Sequence, residues 1–185
     1  MALIGVLALQ GGFEAHGHVL RGLGADVREV RTPADLAGLD GLVIPGGEST
    51  TMTLGIEREG LREPLRELVH GGTPVLGSCA GLIMLDREHL GLMDVHAERN
   101  AFGRQLRSFE TDLDVQGIQG GPLRAVFIRA PWIAEHGPDV EILAVVDDHP
   151  VAARQEAMLA VAFHAELTDD DRVHRMFLDT VSRQS

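Results

Sequence analysis

Cys79 is the chain's single cysteine, and it sits in Gly77-Ser78-Cys79-Ala80-Gly81, after the run Pro74-Val-Leu-Gly77 and before the apolar run Leu82-Ile-Met-Leu85. Small residues on both sides of a nucleophile are what a sharp strand-to-helix turn requires, and such a turn lifts the central side chain clear of the sheet. The turn also sets the sulfur at a helix N-terminus, where the macrodipole and unpaired N–H groups favour thiolate over thiol. A lone cysteine is in general more often buried and inert. The flanking glycines argue against that fate here.

A thiolate nucleophile needs a base that can also return a proton, and nine histidines compete for the post. His164 stands out because it ends the apolar run Leu159-Ala-Val-Ala-Phe163 and is followed two residues later by Glu166. On an extended segment, side chains at i and i+2 share a face. Glu166 is therefore expected to accept a hydrogen bond from His164 and fix its tautomer, completing nucleophile, base and orienter. The other histidines read as ordinary residues: His16, His18 and His174 fall on expected helices, and the rest in polar or turn-like surroundings. No spacing among them suits metal ligation, so neither a metal nor a cofactor is expected.

Gly46-Gly47-Glu48-Ser49 follows the apolar run Gly41-Leu-Val-Ile-Pro45. Consecutive glycines let the backbone approach a ligand closely and aim N–H groups at it, which suits an oxyanion hole shared with the Ala80 N–H. A Gly-Gly turn alone is weak. Three such motifs, each just beyond the end of an expected strand, fall where open α/β sheets bind ligands.

The elements that must hold these residues are legible as alternation. Strands are expected at Ile4–Leu9, Val27–Val30, Gly41–Pro45 and Pro74–Gly77. Helices are expected from Phe13 to Leu23, stopped by Gly24, and around Leu61–Val69. This pattern predicts an α/β fold, a mostly parallel twisted sheet with helices on both faces. From about Leu106 onward, closely spaced runs (Leu106–Phe109, Ala125–Ile128, Ile142–Val146, Leu159–Phe163) predict antiparallel strand additions. A final helix is expected with Thr168 as N-cap, Asp169, Asp170 and Asp171 in its first turn, and Val173, Met176, Phe177 and Val181 as its buried stripe.

The 185 residues fit one domain, 1–185, with 44% apolar residues and no low-complexity tract or linker. The formal charge of −12 lowers the expectation of nucleic-acid or anionic membrane partners. No apolar run reaches the ~18 residues of a membrane span, and the start Met1-Ala-Leu-Ile lacks the features of a signal peptide, so a cytoplasmic location is expected.

Taken with Gly5-Val-Leu-Ala-Leu-Gln-Gly11, Leu42-Val-Ile-Pro-Gly-Gly-Glu-Ser-Thr-Thr51, Asn100-Ala-Phe-Gly-Arg-Gln105, Phe127-Ile-Arg-Ala-Pro131 and Phe163-His-Ala-Glu-Leu-Thr168, the elbow resembles the class I, triad-type glutamine amidotransferases. Within them it resembles the PdxT family, the glutaminase subunits of pyridoxal 5′-phosphate synthase. The resemblance implies hydrolysis of glutamine to glutamate and ammonia, with ammonia passed to a PdxS-type synthase subunit for vitamin B6 synthesis. It implies Cys79 as nucleophile, His164 and Glu166 as the rest of the triad, and Gly46, Gly47, Glu48, Arg104, Ile128 and Arg129 around the glutamine. For Arg104 the physical reason is pairing with a ligand carboxylate. For Ile128 and Arg129 the main chain is expected to matter more than the side chains. One departure is Ala165, where the family usually carries a proline that would restrict the backbone. Two other readings stay open at this level: another elbow-cysteine hydrolase of deglycase or protease type, and a catalytically weak glutamine-binding regulatory subunit.

Overall fold

A computed structural model describes residues 1–99, 102 and 108–184. Its main sheet has seven strands in the order β2-β1-β3-β4-β11-β10-β9. The first four are β1 (Leu3–Leu7), β2 (Asp26–Val30), β3 (Gly41–Ile44) and β4 (Val75–Ser78), and β11 is Met158–Val161. All five run parallel. β10 (His149–Gln155) and β9 (Glu141–Val146) extend the sheet antiparallel to their neighbours. The chain reverses its direction of winding between β1 and β3, so the crevice beyond their carboxyl ends is a topological switch point.

Helices α1 (Phe13–Gly22) and α5 (Arg172–Gln184) meet through His16 and His174. A Cβ placed on Gly41 would run into Phe177 and Val181 of α5. Gly41 and Ile44 point to opposite faces of their strand. On the Ile44 side lies α4 (Ala80–Leu85), whose Gly81 is packed against Ile44. Helix α2 (Ser49–Arg58) touches α4 through Thr53 and Met84. Helices thus cover both faces, as the alternation predicts. A further helix, α3 (Arg62–His70), buries Leu65 and Val69 at i, i+4 spacing.

Several expectations need correction. Helix α2 has no counterpart in the sequence reading: its Ser-Thr-Thr start and Gly55 are poor helix formers, yet Glu48 caps it and Gly55 admits Leu9 at close range. β10 also escaped the pattern because Pro150 argues against an interior strand; a β-bulge beside Pro150 absorbs it. The strand at Leu159–Phe163 is not an antiparallel addition. As β11 it pairs parallel with β4. Thr168 does not cap the last helix, because Thr168 Oγ1 accepts from the Asp170 N–H and Asp170 in turn accepts from the Arg172 N–H, so local turns delay the start to Arg172.

Two short antiparallel pairs stand beside the main sheet: β5 (Val95–Glu98) with β8 (Trp132–His136), and β6 (Ser108–Leu113) with β7 (Leu123–Ile128). Of the expected strand Leu106–Phe109, residues 106 and 107 lie outside the described residues. Phe109 stacks on Phe127, and Phe127 meets Phe163 edge to face, so aromatic packing fixes β7 against the end of β11. Among the described residues no helix is long and apolar enough to cross a membrane.

Candidate active site

Parallel pairing delivers the three motifs to one place. Ser78 is in register with Val161, and Ile44 with Gly77, so the chain leaves β3, β4 and β11 side by side at Gly46, Cys79 and His164. The Cys79 N–H donates to Val161 O at 2.8 Å and the His164 N–H to Val126 O at 2.8 Å, pinning both departures.

Cys79 has φ 52° and ψ −104°, a conformation a β-carbon resists. Such strain costs on the order of 1–3 kcal/mol and persists only where the surroundings enforce it. Here the glycines do: a Cβ on Gly81 would lie 2.0 Å from Ile44 O, and one on Gly77 would lie 2.8 Å from the Gly81 backbone. Strand and helix therefore approach too closely for any other residue, and Cys79 is held at the bend.

His164 Nδ1 lies 2.7 Å from Glu166 Oε1. The pair is not made by strand pleating as the spacing predicted. The strand stops at Val161, and Ala165–Leu167 form a 3-10 turn that swings Glu166 back under the imidazole. Ala165 opens that turn, a position where proline would fit, and the alanine supports the pair without it. With Nδ1 donating to Glu166, Nε2 is left for the Cys79 sulfur, and the two residues are near enough that a Cβ on Gly46 would touch both. Burial by itself would lower the imidazole pKa, but the hydrogen bonds and charges of Cys79 and then Glu166 outweigh it and lift it from 6.5 to about 10. The ring is thus imidazolium at neutral pH and sits beside the sulfur ready to give a proton. Burial pushes Glu166 up, whereas its hydrogen bond to His164 and the charge of the His164 imidazolium pull it below the ordinary carboxylate range.

Gly46 lies under this pair: a Cβ there would come within 2.6 Å of His164 Cε1 and 3.3 Å of Cys79 Cβ. The Gly12 N–H donates to Gly46 O at 3.0 Å, and the Glu48 N–H donates to Gln10 Oε1 at 2.7 Å. The glycine turn after β3 is therefore tied to the turn after β1.

A cleft of about 390 Å³ opens over the thiol, and Gly47, Glu48, Ile128 and Arg129 all line it. The Glu48 side chain is spent on the N-terminus of α2, accepting from the Thr51 hydroxyl and from the Thr51 and Thr50 N–H groups; these bonds hold its pKa down to about 2. Ile128 O lies 3.9 Å from the Cys79 sulfur, and Arg129 is held at φ 43°. Arg104 lies outside the described residues. The sequence reading missed Arg99, a cleft-lining cation whose Nη1 donates to Ser49 Oγ at 3.1 Å. Its only sequence signal was adjacency to the Asn100–Gln105 motif.

A cysteine on a strained elbow, beside a histidine oriented by a buried carboxylate, at the strand ends of an open α/β sheet, is the arrangement of the cysteine-dependent acyl-transfer hydrolases. A solved structure described as a glutamine amidotransferase superposes with a TM-score of 0.91 at 44% identity, covering 97% of this chain and 98% of that one. The pyridoxal 5′-phosphate synthase subunit PdxT of Parafrankia sp. (strain EAN1pec) is 54% identical over 96% of this chain and 92% of its own length. The subunit of the same name from Frankia alni is 52% identical over 96% and 94%. Residues 6–183 match the SNO glutamine amidotransferase family, and the chain belongs to that family.

Proposed function

We propose that this chain is the glutaminase subunit of a pyridoxal 5′-phosphate synthase, hydrolysing glutamine at Cys79 and handing the ammonia to a PdxS-type synthase subunit. The observation that carries the chemistry is the placement of the hydrogen-bonded Glu166–His164 pair beside Cys79 at the cleft. Membership of the SNO glutamine amidotransferase family supports the substrate, and the names of the PdxT relatives support the partner.

The Cys79 thiolate attacks the side-chain amide carbon of glutamine, and the carbonyl oxygen becomes an oxyanion. N–H groups of the Gly46–Gly47 turn and of Ala80 stabilise that charge. His164 gives its proton to the amide nitrogen, the C–N bond breaks, and ammonia leaves a γ-glutamyl thioester on Cys79. His164, now neutral, takes a proton from water; the resulting hydroxide opens the thioester, releasing glutamate and restoring the thiolate. Glu166 keeps the Nδ1 proton of His164 throughout. Arg99, with Arg104 by resemblance, supplies positive charge for the amino acid's carboxylate. The cytoplasm, where thiols stay reduced, suits such a nucleophile.

Uncoupled hydrolysis would waste glutamine, and the oxyanion turn is built to be controlled. It is anchored on the Gln10–Gly12 turn at the rim of the cleft, so a partner docking there moves the peptide that must face the oxyanion. Glutamate release at saturating glutamine is the test, run with the chain alone, with added synthase subunit, and with a synthase disabled in its own chemistry. The expected result is a slow chain that either form of synthase accelerates by roughly 10²–10³, the value of one oxyanion donor. A chain that reaches full rate alone, unchanged by either form, contradicts docking control.

A further inference from the structure

Behind Glu166, on the side away from the cleft, lies a pair of histidines that the triad does not use. His16 of α1 and His174 of α5 are both fully buried, with His16 Nδ1 2.9 Å from His174 Nε2. His16 Nε2 is 3.3 Å from Glu166 Oε2. We infer that His16 is a positioning residue of the glutaminase site, donating its Nε2 proton to Glu166 in a chain that runs His174–His16–Glu166–His164–Cys79. This rests on the reading of Cys79, His164 and Glu166 as the glutaminase triad.

The argument starts from the carboxylate. The Glu166 side chain is only 2% exposed, and a buried carboxylate needs donors on both oxygens. Oε1 takes the His164 Nδ1 proton. Near Oε2 the Ser78 hydroxyl has one proton to share between Phe163 O at 3.0 Å and Oε2 at 3.4 Å, and the carbonyl is nearer. That leaves His16 as the donor on Oε2.

Tautomers follow by elimination. One proton lies between His16 Nδ1 and His174 Nε2. If His16 supplied it, the bare Nε2 of a neutral His16 would face the negative Oε2, and His174 would carry its own proton on Nδ1, a buried atom with no hydrogen-bond partner. If His174 supplies it, His16 Nε2, which like His174 Nδ1 has no other hydrogen-bond partner among the described residues, carries a proton toward Oε2 at 3.3 Å, and what remains unpartnered is an unprotonated lone pair on His174, the cheaper deficit. Charging the pair is opposed by burial, which is the leading cause lowering both histidines, His174 to about 3. A neutral imidazole donor steadies the carboxylate without neutralising it, so Glu166 keeps its charge and its aim at His164.

The test uses the glutaminase–synthase complex and compares wild type with His16→Gln, whose amide N–H reaches the Nε2 position, His16→Asn, whose amide does not, and His16→Met, which has no donor. The expected result is a kcat lowered roughly 10–100-fold in His16→Met and His16→Asn, glutamine KM within about twofold of wild type, and most of the rate retained in His16→Gln. Equal rates in all four proteins overturn the role of His16 while leaving the triad standing. Equal loss in all three variants overturns it as well, because a packing role would not distinguish them. A wild-type complex that releases no glutamate removes the glutaminase reading and this inference together. Nitrogen NMR of the histidine-labelled wild-type chain needs no variant to fold: protonated Nε2 and bare Nδ1 on His16 are expected, and the opposite tautomer overturns the proposal.

Discussion

Cys79→Ala is expected to abolish glutamine hydrolysis, lowering kcat by at least about 10⁴-fold, the scale set by removing a nucleophile from an assembled triad. The fold and partner docking are expected to survive, because alanine keeps the β-carbon that the elbow already accommodates at φ 52°. A second readout belongs to the same variant. Cys79 is the first of the groups raising the His164 pKa, so removing its sulfur is expected to move that pKa down from about 10 toward the ordinary 6.5. Proton NMR titration of the His164 ring measures this. In wild type the ring stays charged through neutral pH and loses its proton only in strongly alkaline solution; in the variant it loses it at lower pH. A folded variant that keeps its glutaminase rate rules out Cys79 as nucleophile, and an unmoved titration rules out the sulfur as a group that holds the His164 proton.

His164→Ala and Glu166→Gln are expected to be graded. In the proposed mechanism His164 moves protons in both half-reactions, and its loss is expected to lower kcat roughly 10³–10⁵-fold in the complex with synthase. Glu166 touches no reacting atom. Its amide replacement leaves the base in place but offers an N–H₂ group as readily as an oxygen to His164 Nδ1, favouring the wrong tautomer and relieving the charge that supports imidazolium. A loss of roughly 10–10³-fold is expected, smaller than that of the histidine variant. Steady-state kinetics at saturating glutamine decides the order. Wild-type rates in both variants would remove this pair from the reaction and require another base.

The chemistry was legible in the sequence where steric necessity leaves few choices. Gly77 and Gly81 are demanded by backbone approaches of 2.8 and 2.0 Å, so their spacing around a cysteine betrays the elbow without any knowledge of the fold. His164 and Glu166 are close in the chain, and a short apolar run pointed to them even though a 3-10 turn, not strand pleating, joins them. His16 and His174 were illegible for the opposite reason. They meet across 158 residues on two helices whose spacing marks them only as helical positions, and only the packing of α1 against α5 puts them behind Glu166. Arg99 was hidden likewise, since its relation to Ser49 depends on how β5 sits beside the start of α2. β11 was legible as a strand but not as a parallel one, whereas β1 to β4 could be read from their apolar runs. β10 and α2 could not, because Pro150 and the Ser-Thr-Thr start oppose their own elements and are overridden by a bulge and by the Glu48 cap.

The central claim is that glutamine passes through a covalent bond to Cys79. Acid quenching of the glutaminase–synthase complex during turnover, followed by mass spectrometry of the peptide containing Cys79, measures it directly. The account predicts a γ-glutamyl thioester on Cys79 that appears with glutamine, is absent with glutamate, and accumulates when deacylation is slowed. Glutamate production at full rate with Cys79 unmodified at every quench time, and undiminished after that cysteine is blocked by alkylation, would contradict it.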